Sequence, residues 1–127
     1  MKISASLEDY LRTIYELSQT NSKIRVTDIA ASLNVQKSSV NNAINTLKEQ
    51  RLVVYEKYKS VILTDSGIIR AKNIVKRHVL FKKFLTEILK VSDDISEEEA
   101  KDLSHCISCY TAAKLEEYIE NIFSQKE

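Results

Sequence analysis

Glycine, proline and tryptophan are nearly missing from this chain: its 127 residues hold one glycine, no proline and no tryptophan. A single glycine all but excludes the loops that cradle nucleotide phosphates, since those loops need the backbone to approach the phosphate closely. Without proline and with so little glycine, long helices joined by short connections are favoured. No apolar run approaches the ~20 residues needed to cross a bilayer. The opening MKISASLEDY lacks the pattern of a signal peptide. Low-complexity tracts and internal repeats are absent, as is any Ser-His-Asp order or acid/base pair suited to catalysis. These absences predict a cytoplasmic protein that is not an enzyme, with no membrane partner and no small-molecule substrate. Its two cysteines are expected to be reduced there.

What is present concentrates in residues 25–65. Val26, Ile29, Ala30 and Leu33 recur at helical spacing, with Thr27 and Asp28 as polar N-terminal residues. Asn34 can take the left-handed geometry that ends such a helix, and Val35 can staple the start of the next. Val40, Ala43, Ile44 and Leu47 then form a second buried stripe, leaving Gln36, Lys37, Ser38, Asn41, Asn42, Asn45 and Lys48 outside. Two short amphipathic helices in this order predict a helix-turn-helix. Asn and Gln on its exposed face can bond adenine edges bidentately, while Ser, Lys and the free N–H groups of the first turn can reach phosphates. Three Asn on one face are poor helix formers with no packing reason to be there. A solvated polar face on a structural helix is the competing reading.

Two β-branched and aromatic runs follow, Leu52–Tyr55 and Val61–Thr64, which predict a hairpin. Its tip carries Lys57 and Lys59, placed to meet backbone phosphate or simply to keep an edge hairpin soluble. Together these features predict a winged helix-turn-helix with double-stranded DNA as its ligand, through Thr27, Gln36, Lys37, Ser38, Ser39, Asn41, Asn42, Lys57 and Lys59. Charge agrees: residues 1–70 hold ten Lys and Arg against seven Asp and Glu, and residues 71–127 nine against eleven.

The remaining periodicity predicts a mainly α chain. A first helix spans 6–20, with Ser6 as its cap and Leu7, Tyr10, Leu11, Ile14, Tyr15 and Leu17 inward. Thr64 and Asp65 cap a long helix from 65 to 89, with Gly67 in its first turn where another backbone approaches closely. Helices over 96–109, capped by Ser96, and over 111–124 complete the chain. The expected division is a winged helix-turn-helix over 1–71 and a helical dimerisation and effector domain over 72–127. The later helices carry more apolar surface than one short layer covers, so a homodimer is expected. Two recognition helices one helical turn apart would then read a pseudo-palindromic operator. A compact monomer with its tail folded back is the alternative.

At this point a family resemblance is specific. SxEDYLxxIYEL (Ser6 to Leu17), VTDIAxxLxV, SSVxxxIxxL, LVxYEKYxxVxLTxxG and the Arg77-His78 pair resemble the diphtheria-toxin-repressor/manganese-transport-regulator (DtxR/MntR) metalloregulators over about residues 6–110. The resemblance implies a homodimeric transcriptional regulator, a repressor, that binds operator DNA when Mn²⁺ or Fe²⁺ fills a site between head and dimerisation domain. It also implies the short, two-domain type. By the same resemblance Asp9, His78 and His105 match the family's metal ligands, whereas Arg12, Lys101 and Ser104 stand where it places further donors.

Three effector readings stay open. One divalent transition metal (Mn, Fe or Zn) could sit on Asp9, His78 and His105, completed by water or a nearby thiolate. Arg12 or Lys101 could replace the ion through a salt bridge to Asp9. Cys106 and Cys109 could act as a redox or soft-metal sensor, with His105 and Cys109 on one helical face at i,i+4; as core thiols they would do neither. A winged helix used for protein–protein contact is the second functional class.

Overall fold

The computed structural model describes residues 5–56 and 59–126. Their elements run α1 (Ala5–Ser18), α2 (Val26–Leu33), α3 (Lys37–Glu49), β1 (Val53–Tyr55), β2 (Val61–Leu63), α4 (Asp65–Lys83), α5 (Asp93–Cys106) and α6 (Cys109–Lys126), with a π-helical turn over Phe84–Ile88 after α4. The chain divides into two compact units, the first ending at Asn73 and the second beginning at Ile74. The first is a winged helix-turn-helix; the second is helical.

In the head, Tyr10, Leu11 and Ile14 of α1 pack in one core with Ile29 of α2 and Val40, Ile44 and Leu47 of α3. The α1 and α3 sets recur every three or four residues, so each of these two helices turns one apolar stripe inward. Asn34 ends α2 at φ 55°, and the Val35 N–H donates back to the Ala30 carbonyl at 3.1 Å. Arg51 does the same after α3. At φ 62° it lets Leu52 N–H reach the Leu47 carbonyl (3.0 Å) and its own N–H reach Lys48 (2.9 Å), a Schellman closure without glycine.

The wing is a two-stranded antiparallel hairpin in the register Val53–Leu63, Val54–Ile62, Tyr55–Val61. Val53 and Val61 turn inward, while Val54 and Ile62 pair on the exposed face. At the start of β2, Val61 N–H donates to the Ile24 carbonyl at 2.8 Å, tying the wing to the loop before α2.

Thr64 joins wing and helix. Its Oγ1 accepts the Gly67 N–H (3.0 Å) and donates to the Arg51 carbonyl (2.7 Å), and its carbonyl accepts the first helical bond of α4 from Ile68 (2.9 Å). A Thr64→Val chain keeps the shape and loses both side-chain bonds. It is expected to lose about 1–2 kcal/mol of stability, readable as a lower denaturant midpoint.

Several expected boundaries differ. Ser6 lies inside α1 and does not cap it, because helical geometry already includes Ala5. Glu8 and Thr13, on the polar side of the sequence pattern, are both buried. The long helix is α only to Lys83. There Thr86 Oγ1 donates to the Lys82 carbonyl (2.9 Å), and the ladder widens to a π turn that closes at Lys90, φ 62°.

Helix α5 starts three residues earlier than expected, with Ser92 as N-cap and Asp93 and Asp94 in its first turn. Ser96 is not a cap; it is buried and donates to the Val91 carbonyl at 3.3 Å. The α5–α6 boundary is also displaced. Ile107 is extended (φ −110°, ψ 139°), and Ser108 caps α6 by accepting the Thr111 N–H at 3.2 Å. His105 and Cys109 therefore do not share a helical face at i,i+4, since the helix breaks between them.

In the second unit Phe81, Leu85 and Ala100 form the buried centre, flanked by Phe84, Val91, Leu103, Ile107 and Leu115.

Candidate nucleic-acid interface and effector residues

The buried stripe of α3 fixes what its other face shows. With Val40, Ala43, Ile44 and Leu47 inward, Lys37, Ser38, Ser39, Asn41, Asn42, Asn45 and Lys48 are exposed, as are Thr27 and Gln36. A groove of about 860 Å³ opens along this face, lined by Arg25, Val26, Thr27, Lys37, Asn41, Asn45, Lys48, Tyr55 and Lys59. It thus gathers cations from three segments: Arg25 before α2, Lys37 and Lys48 at the two ends of α3, and Lys59 in the wing. Lys59 also holds Glu56 at 2.7 Å, an exposed pair that a phosphate can displace. Lys57 lies outside the described residues.

The groove takes in Thr27, Lys37, Asn41 and Lys59 of the residues expected to meet DNA. Gln36, Ser38, Ser39 and Asn42 are exposed but do not line it. The sequence pattern misses Arg25 and Tyr55. Arg25 precedes the helical periodicity, its N–H bound by the Asp28 carboxylate at 2.9 Å, and Tyr55 reads only as a strand residue. The same pattern turns Asn45 and Lys48 outward without giving them a role.

The effector candidates are held differently in each unit. In the head, Asp9 Oδ1 lies 3.5 Å from Arg12 Nη2, and Arg12 Nη1 donates to Glu16 Oε1 at 3.2 Å. The Arg12 side chain is only 16% exposed while it spans these two carboxylates. In the second unit, His78 Nε2 lies 3.2 Å from Glu97 Oε1 and 3.4 Å from the Glu97 carbonyl. The other oxygen of that carboxylate accepts from Lys82 Nζ at 2.8 Å.

The hydrogen bond from Lys82 holds the Glu97 carboxyl below the ordinary carboxylate range; burial opposes it, and the charges of His78, Lys82 and Lys101 assist. The same bond, with the charge of Glu97, holds Lys82 above its ordinary value. The pair therefore stabilises the fold across the neutral range. Its contribution is lost as pH falls through the lowered value of Glu97 or rises through the raised value of Lys82.

His105 is half-buried in the last turn of α5. Ser104 is buried and donates to the Lys101 carbonyl at 2.8 Å, while the Lys101 side chain is exposed. Cys106 and Cys109 are exposed on either side of the helix break, with Arg77 Nη1 4.0 Å from Cys109 Sγ.

Two family models cover this chain: the iron dependent repressor N-terminal DNA binding domain over residues 2–61, and the iron dependent repressor metal binding and dimerisation domain over residues 64–125. The chain belongs to the iron-dependent repressor family. It is 36% identical to an uncharacterised HTH-type transcriptional regulator of Methanocaldococcus jannaschii over 119 residues, 93% of this chain and 95% of that one. It is also 36% identical to the HTH-type transcriptional regulator MntR of Listeria monocytogenes, over 81% of this chain and 72% of that protein. The solved manganese regulator SloR superposes with a TM-score of 0.79 at 32% identity, covering 94% of this chain. This chain spans only 55% of the SloR chain. The relatives are transcriptional regulators rather than enzymes. Among the described residues no helix is long and apolar enough to cross a membrane.

Membership in this family implies a divalent metal, and the donors here do not fit one. A hard cation takes six or more oxygen donors, and transition ions take three or four firm protein ligands. Among the described residues no group of three or more His, Cys, Asp or Glu is placed to hold an ion. The Asp9 carboxylate has a guanidinium beside it, and the carboxylate next to His78 has an ammonium on it.

Proposed function

We propose that this chain is a sequence-specific, operator-binding transcriptional repressor that works as a cytoplasmic homodimer, with 1–71 as DNA-binding domain and 72–127 as dimerisation and effector domain. The observation that carries the reading is the exposed α3 face opening on a groove that gathers Arg25, Lys37, Lys48 and Lys59. Asn41 and Asn45 lie between these cations along the same groove. Cations fix the register on the backbone, and amides read base edges. Dimerisation is supported by Val79, Leu89, Tyr110 and Tyr118 in the second unit, all more than half exposed in the single chain. A C₂ pair would place two α3 helices on successive turns of one duplex.

Operator selection from a random duplex pool, followed by titration at several salt concentrations, tests this reading. A pseudo-palindromic product is expected, with affinity falling steeply as salt rises. A winged helix serving protein–protein contact predicts no duplex binding at any salt. Sedimentation at micromolar concentration should show a dimer; a monomer that still bound the full palindrome would remove the paired-head arrangement.

A further inference from the structure

Of the three residues that would serve a metal effector, Asp9 has a cation of its own unit beside it, and His78 faces a carboxylate that a cation of its own unit holds. In the head this is Arg12, nearly buried and bridging Asp9 and Glu16. A dication approaching Asp9 would have to displace this guanidinium from both carboxylates. In the second unit it is Lys82, bound to the carboxylate that faces His78. Lys101 and Ser104 add no anionic donor, and the Ser104 hydroxyl is already committed to the Lys101 carbonyl.

We propose that this regulator binds its operator without a divalent metal, because Arg12 and Lys82 stand in for the ion beside Asp9 and His78. A ligand shifts a conformational equilibrium only by its differential affinity for the two states. An ion that finds no site in either state shifts nothing. The DNA-competent state is then populated by the chain's own ion pairs; its affinity varies with salt, and operator occupancy follows protein concentration. This inference rests on the operator-binding reading for its consequence, but its premise concerns metal affinity alone.

The experiment therefore has two arms on the full chain. Titration of the wild-type protein with Mn²⁺, and separately with Zn²⁺ and anaerobic Fe²⁺, is followed by calorimetry. No saturable site is expected below about 100 μM, a ceiling near −5.5 kcal/mol of binding free energy. Operator affinity, measured by fluorescence anisotropy, is expected to agree within about twofold between chelator and each metal. A saturable low-micromolar site, or a tenfold gain in operator affinity with any of the ions, would overturn the proposal. If the protein ignores every duplex, the operator reading falls while the calorimetric arm still decides the metal question.

An Arg12→Glu/Lys82→Glu chain supplies the converse. It is expected to acquire Mn²⁺ affinity at least about tenfold above wild type, since two carboxylates replace two cations. A folded variant, checked by circular dichroism, that gains nothing would show that these cations are not what stands against the ion. If the variant does not fold, the wild-type titration remains decisive.

Discussion

A Gly67→Ala chain is expected to lose about 3 kcal/mol of stability, against the direction that helix propensity dictates. Alanine in place of glycine within a helix ordinarily gains about 0.5–1 kcal/mol. Here the added Cβ would fall inside contact distance of the Leu52 carbonyl oxygen, 3.0 Å from its carbonyl carbon and 3.3 Å from Leu63 Cδ2. The Leu52 carbonyl cannot swing aside freely, because it accepts the Thr64 N–H at 3.0 Å. Relief would have to come from moving the whole start of α4 away from the α3–β1 turn. Overpacking of this kind costs about 1–3 kcal/mol, and a backbone obstacle puts the cost at the upper end. Urea denaturation gives the sign directly: an alanine chain as stable as wild type would show that the wing and α4 are not packed as described.

The second large effect separates binding from folding at one residue. Lys37 lies in the first turn of α3, where the helix dipole disfavours a cation. A Lys37→Glu chain should therefore be as stable as wild type, or more stable by about 0.3–1 kcal/mol. Its operator affinity should fall by about a hundredfold at moderate salt, because a groove cation becomes an anion facing phosphate. The salt dependence should also flatten, by about one in the slope of log K against log salt for each phosphate the variant no longer neutralises. A local penalty retained at an exposed position is understandable when the residue serves a ligand. Thermal unfolding and anisotropy on the same preparation give both signs. Unchanged binding would remove α3 from the interface.

Much of the head was legible because its determinants are local. Three- and four-residue apolar spacing marked α2, α3 and the inner face of α1; the β-branched runs marked the hairpin; Asn34 closed α2; and Thr64 with Gly67 marked the start of α4. The second unit was less legible. Acidic residues suit the first turn of any helix, so Glu97 to Glu99 drew the expected cap to Ser96, whereas the helix already starts at Asp93 and Ser96 is buried within it. Nothing in the spacing of His105, Cys106 and Cys109 announces the extended Ile107 that parts them.

The candidate site divides the same way. That α3 presents amides and cations followed from sequence, since burying one stripe of a helix forces the opposite stripe outward. That Arg25 and Tyr55 share its groove did not, because their proximity depends on how the loop before α2 and the wing fold back beside it. The departure at Arg12 was readable as a charge at the wrong position, and Asp9 three residues before it and Glu16 four after lie about one helical turn away. The meeting of His78 and Lys82 with Glu97 joins residues far apart in the chain, brought together by α4 and α5. Local periodicity selects helices and faces through short-range backbone geometry. Which charges end up in contact is fixed only when helices pack and desolvation makes an unpaired charge costly.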